Sequence, residues 1–113
     1  MAGQEENRMG VGCIQLGTLA SGALATSSIT LGALHVFSTP TSGGCTLALP
    51  DGEHEGQKTI FKMETDGTTN LVITPASFMD GTTITFADAN DAAELMWDGG
   101  EWVVVSLNGA AVA

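Results

Sequence analysis

Glu94-Leu-Met-Trp-Asp-Gly-Gly-Glu-Trp-Val-Val-Val-Ser-Leu107 is the stretch on which the fold turns. It predicts a β-hairpin. Glu94 to Trp97 forms one short strand and Trp102 to Leu107 a second. Asp98-Gly99-Gly100-Glu101 lies between them and supplies residues that tolerate the positive φ of tight hairpin turns. Both tryptophans flank the turn, where cross-strand packing between them is stereochemically natural. Trp97, Trp102 and Val104 are therefore expected in the structural core.

Upstream of the hairpin the same grammar repeats. Thr46-Leu-Ala-Leu49 runs into Pro50-Asp51-Gly52, Lys58 to Met63 into Asp66-Gly67, and Asn70 to Thr74 into Pro75. Thr82 to Phe86 follows Asp80-Gly81. Strands spaced by roughly 10 to 13 residues with Asp-Gly punctuation predict an all-β fold: a small β-sandwich, jelly-roll or barrel-like module. Ala87 to Glu94 is rich in Ala, but its Asp and Asn favour turns, so a loop or single helical turn is expected there. No exact internal repeat is visible.

The first half is unlike the second. From Met9 to Pro50 there is no Asp, Glu, Lys or Arg, and His35 is the only ionisable side chain besides Cys13 and Cys45. A solvated loop normally carries charge, and a disordered segment is less apolar. This half is therefore expected to be covered. Its strand candidates are Gly12 to Leu16, Ser28 to Leu31 and Ala33 to Phe37. The chain divides on this reading into 1–45, an uncharged extended N-terminal arm with assembly strands, and 46–113, an acidic β-rich domain. Ile14, Leu16, Leu19, Leu24, Ile29, Leu31, Leu34, Val36 and Phe37 are the expected partner or oligomer interface.

Thirteen acids against three bases give a formal charge of −10 in 113 residues. Repulsion from phosphates argues against direct nucleic-acid binding and against adhesion to anionic lipid. No run of 18 apolar residues exists to span a bilayer, and the polar start, with Glu5, Glu6 and Arg8, is not a signal-peptide n-region.

Few residues suggest chemistry. Asp51-Gly-Glu-His-Glu-Gly-Gln57 opens like a calcium loop, but the position needing a bidentate carboxylate is Lys62. Asp88, Asp91, Glu94 and Asp98 could pair as glycosidase carboxylates, though a solvated acidic loop is the simpler reading. Cys13 and Cys45 lack metal-site spacing and read as two buried free thiols, with a disulfide left open. His35, inside an alternating apolar strand, reads as a hydrogen-bonded core or interface residue. No catalytic, cofactor-binding or metal residue is assigned, and the chain is not expected to be an enzyme.

One resemblance bears on function. Leu47-Ala-Leu-Pro-Asp-Gly52, Gly56-Gln-Lys-Thr-Ile60, Val72-Ile-Thr-Pro75, Phe78, Gly81 to Phe86, Leu95 to Gly99 and Glu101 to Ser106 together look like a pattern found in virion structural proteins of tailed bacteriophages, including head decoration (cement) proteins and tail-fibre domains. It covers about residues 45 to 110 and consists of turn and strand residues. The resemblance implies a non-catalytic homotrimer on the virion capsid surface, assembled in the host cytoplasm. Its partners would be the major capsid protein and itself, with no cofactor, and its role capsid stabilisation by bridging. The alternative is a tail-fibre or receptor-binding module contacting host glycans. Deleting residues 1–31 is expected to abolish attachment while leaving the β-domain folded.

Overall fold

The hairpin of the sequence reading forms, and it closes a winding that begins far upstream. The computed structural model describes residues 12–113. Ten strands follow in order: β1 (Cys13–Thr18), β2 (Gly22–Ala23), β3 (Leu34–Ser38), β4 (Cys45–Leu49), β5 (Lys58–Thr65), β6 (Leu71–Pro75), β7 (Ile84–Phe86), β8 (Ala92–Trp97), β9 (Trp102–Asn108) and β10 (Ala111–Val112), with one 3-10 turn at Thr26–Ser28. They make two mixed five-stranded sheets. Sheet A runs β1-β3-β5-β8-β9 and sheet B runs β10-β7-β6-β4-β2.

The first six strands alternate between the sheets, and each pairs in parallel with the strand one circuit earlier. Cys13 pairs with Leu34, and Leu34 with Ile60, in sheet A; Gly22 pairs with Cys45, and Cys45 with Leu71, in sheet B. The chain thus winds as three rungs of roughly 21 to 26 residues, the arrangement of a short solenoid. A jelly roll pairs its strands antiparallel. Here that mode begins only after β6, where β7, β8, β9 and β10 pair antiparallel with β6, β5, β8 and β7. The rungs share geometry rather than residues, which is why no repeat shows in the sequence.

One core lies between the sheets. β4 alternates buried and exposed positions, and β8 alternates buried and half-buried ones, so each turns one face inward. Phe37, Phe61 and Phe86 meet edge-on at ring-centroid distances of 5.5 Å and 6.4 Å. Trp97 and Trp102 pack T-shaped at 5.3 Å, and the Trp102 indole N–H donates to the Pro50 carbonyl at 2.9 Å. Val104 is half-buried against the same cluster.

Residues before 46 share that core. Leu19 and Phe37 belong to the cluster, and Leu16, Leu24, Ile29 and Leu31 pack against it. The arm expected over 1–45 therefore divides. Residues 1–11 lie outside the described residues, and the rest is wound into the same body as the acidic half. Removing residues 1–31 would take out β1 and β2, bare the edges of β3 and β4, and remove Leu19 from the core. The deletion is thus a test of folding as much as of attachment.

Two local expectations change. Ser28–Leu31 is a corner rather than a strand: Thr26–Ser28 is a 3-10 turn, the Ala33 N–H bonds the Thr30 carbonyl, and Gly32 has φ +90°. Residues 87–91 do form a loop, but pairing with β5 starts β8 at Ala92.

The outer edge of β9 is partly covered. The Trp102 N–H donates to the Ser77 carbonyl, the Met79 N–H to the Trp102 carbonyl, and the Val104 N–H to the Asp80 carboxylate at 2.9 Å. A carboxylate at an edge blocks strand addition there.

Candidate functional site

Three places carry the side chains that could act: the hairpin end, the His35 corner and the outer faces of the two sheets.

At the hairpin end, Asp98 builds its own turn. Its Oδ1 accepts the N–H groups of Gly100 (2.9 Å) and Glu101 (2.7 Å), which hold its carboxyl below the usual range. The loop 51–57 is hooked onto the end of β8: the Gly56 N–H donates to the Trp97 carbonyl, and the Trp97 N–H to the Gln57 carbonyl. Inside that loop the buried Gln57 accepts the Glu53 N–H at 2.8 Å. Gly52 runs under the Trp97 ring so closely that an added Cβ would enter it. Asp51, Glu53, Glu55, Asp98 and Glu101 therefore collect at one end of the molecule. They do not converge, however, and among the described residues no group of three or more His, Cys, Asp or Glu side chains could hold a metal ion.

The other acids are dispersed. Asp91 is 5% exposed, and its Oδ2 accepts the N–H groups of Ala87 and Asp88, which closes the turn before β8. Glu94 pairs with Lys58 at 3.2 Å on the outside of sheet A. Asp91 and Asp98 stand at opposite ends of β8, roughly 20 Å apart at about 3.3 Å per residue. Carboxylates that share a glycosidic bond lie about 5 to 9.5 Å apart.

His35 is fully buried and stacks on Phe61 at 4.9 Å. Its Nε2 accepts the Thr30 N–H at 2.9 Å, which puts the ring proton on Nδ1, where it donates to the Ile60 carbonyl at 3.2 Å. Burial pushes its pKa down. The ring is a neutral bracket tying the first corner to β5. Neither cysteine joins it. Cys45 is buried in sheet B, donates to the Ala20 carbonyl, and has its pKa pushed up by burial. Cys13 is exposed, which corrects the expectation of two buried thiols: it falls on the edge strand and shares the outward side of Leu34.

The interface residues read from the sequence scatter on folding. Leu19 and Phe37 are core, and Leu16, Leu24, Ile29 and Leu31 pack against it. Ile14 is half-buried and shares the side of His35. Leu34 and Val36 alternate with the inward His35 and Phe37, stand outside the core cluster and so face outward from sheet A. Beside them, by register, lie Ile60 and Lys62 of β5. Met96 of β8 and Val103 of β9 continue this face. The sequence reading did not place these four on one face with Leu34 and Val36. For Ile60 and Lys62 the signal is the alternation Lys58-Thr-Ile-Phe-Lys-Met63, in which both faces carry an apolar residue. Sheet B differs: its outer row is Ala23, Thr46, Val72, Thr85 and Ala111, small and uncharged.

No family model matches the chain, and no curated protein matches it.

Proposed function

We propose that this chain is a virion structural protein of the head-decoration class: a homotrimer, each subunit a small two-sheet sandwich module, that binds the outer surface of a capsid and stabilises it non-catalytically by bridging major capsid proteins. The carrying observation is the distribution of charge over the folded body. The first two rungs, residues 12–50, show solvent side chains such as Gln15, Thr18, Ser21, Ala23, Ala25 and Ser27, and none of them is charged. All described acids lie from Asp51 onward. A neutral surface in a molecule of net charge −10 is the part that loses least on leaving water against a shell. Exposed acids away from the hairpin end, such as Glu64, Asp66 and Asp88, then point to solvent and keep crowded copies apart. The virion resemblance over residues 45 to 110 supports the same reading.

The test is to add the purified chain to tailed phage particles with undecorated heads, count bound copies by electron cryo-microscopy and measure the shell's melting temperature. Many copies on the head and a raised melting temperature are expected. A few copies on the tail tip would favour the receptor-binding alternative, and no binding to heads would overturn the proposal.

A further inference from the structure

We propose that copies of this chain associate through the outer face of sheet A, where Lys58 and Lys62 receive the acidic hairpin end of a neighbouring copy. This deepens the homo-oligomer of the proposed function by naming its surfaces.

Two independent observations meet on this face. The first is apolar. Leu34, Val36, Ile60, Met96 and Val103 are all buried or half-buried, yet none belongs to the core cluster. They lie on the reverse of β3, β5, β8 and β9, so the sheet has a second apolar side. The second is charge. Lys58 and Lys62 are the two described bases, and both project from this face, one on each side of Ile60. Lys58 is tied to Glu94 on the same face, and Lys62 makes no ion pair among the described residues, so Lys62 is the charge left for a neighbour. The complementary charge is present on the same chain but at the hairpin end, where Asp51, Glu53, Glu55, Asp98 and Glu101 gather.

Patch and counter-patch are thus different surfaces of one molecule. A contact between them is head-to-tail, and such contacts close into a ring when the rotation permits. That geometry suits a cyclic trimer. Between two acidic hairpin ends like charges repel. Edge-to-edge addition at the start of β9 is blocked by the Ser77–Met79 segment and the Asp80 carboxylate. The lysine-bearing face is where an acidic surface gains both charge pairing and apolar burial.

The experiment follows the mass of the full chain by light scattering and sedimentation across concentration, with circular dichroism to check folding. At ~0.1 M salt, where charges act over about 10 Å, an oligomer is expected; at ~1 M, where they act over about 3 Å, it weakens. Lys62→Glu should weaken association at least about tenfold. Thr46→Glu, on the outer face of sheet B, should leave it unchanged. A monomer at every concentration, a folded Lys62→Glu variant that associates like the parent, or loss of association in Thr46→Glu alone would each overturn the proposal. Head binding is read separately, so a wrong face leaves decoration intact, whereas a wrong function abolishes it.

Discussion

Replacing Trp102 with phenylalanine isolates the bond that anchors the hairpin to the rest of the body. Trp102 is fully buried, and its indole N–H reaches the Pro50 carbonyl across 52 positions of sequence at 2.9 Å. Phenylalanine keeps an aromatic ring against Trp97 but removes the donor. The lost area, ~40 Å² at about 25 cal/mol/Å², costs ~1 kcal/mol. The carbonyl left without its donor costs about 1–3 kcal/mol more. The sum is ~2–4 kcal/mol. Trp97→Phe is the control: Trp97 is 7% exposed and its indole makes no hydrogen bond within the described residues, so only the area cost, about 1 kcal/mol, applies. Urea unfolding followed by far-UV circular dichroism measures both, free of the change in fluorophore. Equal losses within ~0.5 kcal/mol would refute the anchoring role.

Other outcomes follow from particular residues. Because burial lowers the folded pKa of His35, the unfolded chain takes up its proton first; stability should fall as pH drops below ~6.5 and level off beneath the folded pKa, and His35→Gln should flatten that slope in urea midpoints. Gly109 has φ +80°, and an added Cβ would strike the Asp91 carboxylate, so Gly109→Ala should destabilise by about 1–3 kcal/mol or more in a thermal melt. Cys13 should react with a thiol reagent in the native protein and Cys45 only after unfolding; two fast thiols would show that β4 is not closed over the core. Lys58→Ala should cost under about 1 kcal/mol in urea unfolding, since Lys58 is exposed and Glu94 only half-buried.

Much of the local structure was legible along the chain. Alternation marked β3, β4 and β5 to within a residue or two, because a strand with one buried face writes its period of two into the sequence, and apolar runs bounded by turn residues marked β6, β8 and β9. Asp98-Gly99-Gly100-Glu101 announced its turn because few residues accept that backbone. Ser28–Leu31 alternates as well and still became a corner. There the Thr30 N–H is taken by a histidine ring five residues on, a partner that no local pattern reveals.

Which apolar residues turn outward was the least legible part. Leu19 and Phe37 look like Leu34 and Val36 in composition, but the first pair points into the core and the second pair away from it. Which side of a strand becomes inside depends on the opposing sheet, and that sheet is built from residues far along the chain.

The sequence by itself determined that this protein is β-rich, where its turns fall, and that residues 9–50 carry no Asp, Glu, Lys or Arg, because propensity, period and charge are properties of neighbours. Only the tertiary structure decided that the strands wind as three parallel rungs before they reverse, and that the uncharged half is wound into the body. The same holds for the closing hairpin. Its tryptophans and turn were plain in the sequence, whereas its dependence on Pro50 and its place beside the 51–57 loop came with folding. Such pairings join residues more than twenty positions apart, and what selects them is the burial of one shared core.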